Sequence, residues 1–240
     1  MKESQFPSEM LILAGGFGTR LQSVVSNVPK PMAPVGERPF LSYLMDHWIG
    51  QGIWRFRLST GHLAGVIESC FGDSYGGASI VYVRENSPLG TGGALRLALG
   101  TMDLSSDTVL VANGDTWFPV SLRQLCADAL LQQTPVTLAV KVMAENDRYG
   151  GVSIGEDGKI NSFGIRSVGS CQINGGCYLI NVREMQRELS GQPVSFSFEG
   201  DFLPSYAAKG CVGSSIQNQP FLDIGIPDDY GRAASFLMNT

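Results

Sequence analysis

A chain of 240 residues, 43% of them hydrophobic, is long enough to bury one large core without disulfides or a structural metal. Its formal net charge of −5 and the lack of any Lys/Arg cluster exclude a nucleic-acid or membrane-surface footprint, so an anionic substrate must be met by individually placed cations. Five cysteines without a CxxC pair and two histidines, His47 and His62, outside any metal-ligand spacing argue against a zinc site or disulfide framework and predict a reduced, cytoplasmic protein.

At the amino end, MKESQFPSEM has no charged segment followed by an apolar one, so no signal peptide is expected, and no apolar run approaches the ~18 residues of a membrane span. Residues 10–14 (MLILA) form a continuous apolar run that suits a strand buried on both faces. Phe40, Leu41, Leu44 and Trp48 recur at helical spacing within 39–51, and Gly50 and Gly52 end that helix. Residues 53–59 read as a strand, 63–71 as a short helix, 79–83 as a strand, 90–99 as a helix after a Gly-rich turn, and 108–112 (TVLVA) as another buried strand. This β–α–β–α order predicts an α/β, Rossmann-like fold, a mainly parallel sheet with helices on both faces.

After about residue 135 the texture changes. Residues 136–142, 150–154, 159–163 and 172–180 read as strands, the middle two paired around Glu156-Asp157-Gly158. Helices are expected at 182–189, 202–208 and 227–237, the last with Pro in its first turn. No repeat or long linker interrupts the chain, so one domain spanning 1–240 is expected, the second half continuing the first sheet. A monomer and a homo-oligomer are equally open.

The sharpest chemical signal is LAGGFGTRL at 13–21, directly after the first buried strand. Gly15, Gly16 and Gly18 permit close backbone approach, successive N–H groups of such a turn can form an anion-binding nest, and Arg20 adds a positive fork for phosphate oxygens. A glycine turn after a strand is as often only a turn. The third glycine of a dinucleotide fingerprint is replaced by Leu21, and the P-loop Gly-Lys-Ser/Thr ending is absent. Pro29-Lys30-Pro31 presents an ammonium between two backbone-restricting prolines, where a solvated lysine in a Pro-rich turn would otherwise be the commoner case.

With GGxGTRL followed by PKPM, the chain resembles the sugar-1-phosphate nucleotidyltransferases. Counterparts of LGTGGA (89–94), Asn113-Gly114-Asp115, YGGV (149–152), Asn174-Gly175-Gly176 and Asp223 in FLDIGIPDDY follow in order along nearly the whole chain. The details PKPMAPV, PLGTGGA, INGG and FSFExDFL are most similar to one branch, the D-glycero-D-manno-heptose 1-phosphate guanylyltransferases. The resemblance implies a nucleotide-diphospho-sugar transferase fold, with a nucleotide-binding half at 1–134 and a sugar-phosphate-binding half at 135–240. It implies transfer of a nucleotidyl group from a nucleoside triphosphate, GTP by preference, to a sugar 1-phosphate with release of pyrophosphate.

It also implies roles. Arg20 would hold the leaving pyrophosphate, and Lys30 would sit near the α-phosphate and the attacking phosphate. Asp115 and Asp223 would hold Mg2+, a hard cation that keeps several waters. A turn residue and a helix cap are the ordinary alternatives for these two aspartates. Leu13, Ala14, Gly15, Gly16, Gly18 and Thr19 would surround the nucleotide, as would Asn113, Gly114, Glu85, Pro88, Gly90, Thr91 and Gly92. In this second group the glycine turn would pair with a nucleobase edge and Glu85 would accept from guanine, although a helix-opening turn capped by Thr91 and a surface Glu85 fit the residues too. Gly150, Gly151, Asn174, Gly175 and Glu199 would face the sugar. The Glu-Lys pair of many members is Ile165-Arg166 here, so Arg166 would take the place of the phosphate-binding lysine. Uridylyl, thymidylyl or cytidylyl transfer would keep the same chemistry. A non-catalytic nucleotide-sugar sensor is disfavoured by the presence of Arg20, Lys30, Asp115 and Asp223, and a nicotinamide oxidoreductase by the missing glycine.

Overall fold

Glu9–Leu13 (β1) opens the sheet, and its side chains show why it lies at the centre: Met10 and Ile12 enter one core while Leu11 enters the other. The computed structural model describes residues 6–16, 18, 21, 24–25, 27–103, 107–144, 149–165 and 170–238. A one-turn 3-10 helix at Lys30–Met32 leads to the two-residue strands Pro34–Val35 (β2) and Arg38–Pro39 (β3), then to helix Phe40–Gly50 (α1). Next come Arg55–Thr60 (β4), Ala64–Phe71 (α2), Ser74–Tyr75 (β5), Ala78–Arg84 (β6), Gly90–Leu99 (α3) and Thr108–Asn113 (β7). Strands β7, β1, β4 and β6 lie side by side and parallel, with β5 antiparallel at the edge.

The rest of the chain extends the same sheet with mostly antiparallel pairs. Thr116–Trp117 (β8) and Leu122–Gln132 (α4) precede Val136–Met143 (β9), Gly151–Ile154 (β10), Ile160–Ile165 (β11) and the eleven-residue Cys171–Asn181 (β12). Val182–Ser190 (α5), a π turn at Phe198–Phe202, Leu203–Ala207 (α6), Val212–Gln217 (β13), Leu222–Asp223 (β14) and Pro227–Met238 (α7) complete it. β12 is the junction: it pairs antiparallel with β7 on one side and with β9 and β10 along its length. β13 runs parallel to β9.

Helices cover both faces, as the β–α order predicts. α1, α2, α4 and α7 bury residues in one core; α3, α5 and α6 bury theirs in the other. β7 alternates in the same way, Leu110 and Ala112 against Val109 and Val111. This is the α/β, mixed-sheet architecture expected from the residues.

Two elements carry no clear hydrophobic period. α4 buries Leu122, Leu125 and Cys126 but exposes Leu130 and Leu131, which blurs its helical stripe. β13 reads VGSSIQ, yet Ser214, Ser215 and Gln217 are buried, their polar atoms paired with Gly158, Asp128 and Ser121. The helix expected at 202–208 starts instead at Leu203, because Phe198–Phe202 is wound as a π turn. The strand expected from Ile53 begins at Arg55, since the Ile53 N–H donates to Trp48 O and closes α1.

Candidate active site

The first parallel strands end together, and two cavities open there. One, of about 330 Å3, is walled by Leu13, Ala14, Gly15, Gly16 and Gly18 after β1, by Lys30, by Glu85, Pro88, Gly90 and Thr91 between β6 and α3, and by Asn113 and Asp115 after β7. The second, of about 350 Å3, is walled by Asn113, Thr116, Gly150, Asn174, Gly175, Glu199 and Asp223 among others. Asn113 belongs to both. Its Oδ1 is buried and has no hydrogen-bond partner among the described residues, an acceptor left for something that enters the cleft.

Lys30 is delivered by its local sequence. Pro29 sits extended at φ −65° and ψ 152°, Pro31 and Met32 are buried, and the Ala33 N–H closes the turn on Lys30 O. The stem passes Gly18, where φ is +63° and a Cβ would fall 2.6 Å from Lys30 Cγ, so the glycine is required twice over. Lys30 Nζ reaches Asp115 Oδ2 at 3.0 Å. β8 and β14 pair Asp223 opposite Thr116, and the Ile224 N–H donates to Asp115 O, so the two aspartates share one corner. A Cβ on Gly225 would lie 2.6 Å from Asp223 Oδ1 and 3.0 Å from Lys30 Nζ, so ammonium and carboxylate flank the same point. Among the described residues no group of three or more His, Cys, Asp or Glu side chains gathers. Two carboxylates in one corner of a cleft suit a hard cation completed by phosphate oxygens and water, and do not suit zinc.

Glu85 closes the far end of the first cavity. Its Oε2 accepts from the Leu89 N–H (3.2 Å) and its Oε1 from Ser59 Oγ (3.4 Å). Burial pushes its carboxyl above the ordinary carboxylate value, against the opposing pull of those two donors. A Cβ at Gly15 would come within 2.3 Å of Glu85 Oε1, which explains that glycine as a close approach.

Three of the glycines expected at the site also serve packing. Gly92 does not wall the cavity: it is buried, its N–H donates to Phe196 O (3.0 Å), and its missing Cβ makes room for the Phe196 ring. Gly114 is buried, gives its N–H to Leu13 O, and lets two strand ends pass closely. Gly151 is buried inside β10, where a Cβ would come within 2.9 Å of Ile165 O. Thr91 is not a helix cap; its hydroxyl donates to Glu199 Oε2 and accepts from the Phe198 N–H. Thr19, Arg20 and Arg166 lie outside the described residues.

The second cavity also has walls that the residue-by-residue reading passed over, Tyr149, Phe163 and Phe221. Tyr149 meets Phe221 edge to face at 5.8 Å, and Phe221 meets Phe118 at 5.6 Å, an apolar side opposite the polar one. Tyr149 and Phe221 sit inside YGGV and FLD, so the signal for them lies in the same motifs as the glycines and the aspartate.

Residues 9–240 match the family described as nucleotidyl transferase. The chain is 42% identical over 234 residues to a D-glycero-alpha-D-manno-heptose 1-phosphate guanylyltransferase of Aneurinibacillus thermoaerophilus, covering 96% of this chain and 99% of that protein. It is 37% identical to the enzyme of that name from Campylobacter jejuni, with the same coverage. HddC from Yersinia pseudotuberculosis superposes with a TM-score of 0.84 at 32% identity, over 95% of this chain and 99% of that one, and the same protein complexed with GMP-PN gives 0.83.

Proposed function

The chain belongs to the nucleotidyl transferase family, and on that premise we propose that it is a guanylyltransferase that joins GTP to D-glycero-α-D-manno-heptose 1-phosphate, giving GDP-heptose and pyrophosphate. The observation that carries this reading is the Lys30 ammonium, held beside Asp115 and Asp223 where the two cavities meet.

A phosphate oxygen of the sugar attacks the α-phosphorus, the bond from that phosphorus to the β-phosphate oxygen breaks, and pyrophosphate departs with the electron pair. The nucleophile is already an anion, so no general base is needed. The chain must instead bring two anions together and offset their charge. Lys30 is assigned to that task, and Gly16, where a Cβ would meet nothing within 4 Å, leaves space for phosphates along the first cavity. Arg20 is assigned to the leaving pyrophosphate and Arg166 to the sugar phosphate. Asp115 and Asp223 are assigned to Mg2+, which when bound clamps phosphate oxygens and offsets charge developing on them. Gly150, Asn174, Gly175 and Glu199 are assigned to the sugar. Residues 1–240 act as one catalytic unit, in the cytoplasm where GTP is made.

Glu85 supports guanine. A carboxylate accepts from the neighbouring N1–H and N2–H of guanine, whereas uracil and thymine offer one N–H flanked by two carbonyl acceptors. The competing reading, uridylyl or thymidylyl transfer, is tested by pyrophosphate release across GTP, UTP, dTTP, CTP and ATP with a set of sugar 1-phosphates. GTP with the heptose phosphate is expected to be fastest; clearly faster turnover with UTP or dTTP overturns the guanylyl assignment.

A further inference from the structure

The two cavities are wired together behind their walls. Tyr178, on β12, lines neither and is fully buried. Its phenol accepts from Asn174 Nδ2 at 2.8 Å and donates to Glu199 Oε1 at 3.2 Å. Glu199 Oε2 accepts from the Thr91 hydroxyl, and Thr91 lines the first cavity while Asn174 and Glu199 line the second. Both ends are tied to backbone: Asn174 Oδ1 accepts from the Gly176 N–H, and Thr91 Oγ1 from the Phe198 N–H. A break in the β9–β12 register between Asn174 and Tyr178, with Gly176 at φ +68°, is what folds the Asn174 amide back onto a phenol four residues later.

We propose that Tyr178 is a positioning residue that couples the two substrate sites, linking the Asn174 amide of the sugar wall to the Glu199 carboxylate, which on its other side takes the Thr91 hydroxyl of the nucleotide wall. This rests on reading the cavities as nucleotide and sugar-phosphate sites. Glu199 takes a hydroxyl proton donor from each side, Thr91 and Tyr178, which sets the direction of the lone pairs left for a sugar hydroxyl. Burial and the Glu199 carboxylate push the phenol far above its ordinary value, so it stays a donor across the working pH range. No substrate needs to touch Tyr178 for its loss to be felt; Asn174 and Glu199 would each lose the partner that aims them.

The test is steady-state kinetics on Tyr178→Phe, Thr91→Val and Thr91→Ser, with GTP affinity measured separately by titration without sugar phosphate. Tyr178→Phe is expected to raise KM for the sugar 1-phosphate about tenfold while GTP affinity stays within about twofold. Thr91→Val, a change on the nucleotide wall, is expected to raise the same sugar KM, and Thr91→Ser to restore it by keeping the hydroxyl. The Tyr178→Phe/Thr91→Val double variant is expected to lose no more than the worse single variant, because both act on one carboxylate. Multiplicative losses in the double variant, or an unchanged sugar KM in either single variant, overturn the coupling. If Tyr178→Phe does not fold, the Thr91→Val and Thr91→Ser pair decides alone. Wild-type protein that releases no pyrophosphate from any nucleotide and sugar-phosphate pair instead sinks the functional reading itself.

Discussion

The two cavities are built from opposite materials. The first draws on residues 13–115 and is shaped by backbone: glycine turns beyond parallel strand ends, with Lys30, Glu85 and Asp115 as its ionisable walls among the described residues. The second is shaped by side chains, Tyr149, Asn174, Glu199, Phe221 and Asp223, carried on an antiparallel strand, a π turn and loops between residues 149 and 223. Phosphates are common to every nucleotide and are met by backbone N–H groups, whereas one sugar is told from another by individually directed hydrogen bonds. Substitutions should therefore fail differently on the two sides.

The sharpest break is expected at the corner they share. Lys30→Ala and Asp223→Asn should each lower kcat at least ~100-fold, as loss of an oriented group acting on the transition state does. Tm should move by less than ~4 °C, because Asp115 keeps partial exposure when its cation is removed. Turnover within a few-fold of wild type in either variant, measured by pyrophosphate release, removes that residue from the chemistry.

Gly90→Ala tests the backbone side. Gly90 has φ +69° and a Cβ there would come within 2.5 Å of Phe196 O, a backbone atom that cannot swing away. Overpacking of this kind costs about 1–3 kcal/mol, which thermal unfolding should register. Because the segment at Phe196 continues to Glu199, KM for both substrates should rise. An unchanged Tm would mean that the turn and that segment are not locked together.

Glu85→Gln sharpens base choice. A rise of about tenfold in GTP KM, ~1.4 kcal/mol, is expected, with a smaller loss for ITP, which lacks the 2-amino donor. The pH dependence has a definite sign. Acceptance from guanine needs the carboxylate, so it is present above the folded pKa and is lost as pH falls through it. Burial has raised that value, so GTP KM should climb on acidification earlier than for an ordinary carboxylate. A flat profile that the Gln variant does not alter removes Glu85 from base recognition.

The smallest effect is expected far from both cavities. Asn181 caps α5 by accepting from the Glu184 N–H, and Asn181→Ala should cost about 1 kcal/mol in chemical denaturation while the kinetic constants stay in place. A change in sugar KM would show that α5 reports to the site.

Much of this was legible along the chain. The apolar runs marked β1 and β7, and α3 was read at its full extent, because buried parallel strands and glycine-opened helices announce themselves within a few residues. α4 and β13 were not legible. One exposes two leucines, and the other buries serines whose partners sit on distant elements. At the site, Lys30, Asp115, Asn113 and Glu85 are legible as residues, while the close neighbours that Gly92, Gly114 and Gly151 make room for, Phe196, Leu13 and Ile165, are not.

The order of strands and helices, the glycine turn after β1 and the proline-framed lysine are local properties, dictated by side-chain periodicity and by which residues tolerate a given backbone angle. That Glu199 meets Thr91 across 108 positions, that Lys30 finds Asp115 across 85, and that a buried tyrosine stands between two substrate walls came only with folding. Tertiary packing of a turn, a helix and loops around the sheet brings such residues within hydrogen-bonding distance, which no spacing along the chain encodes.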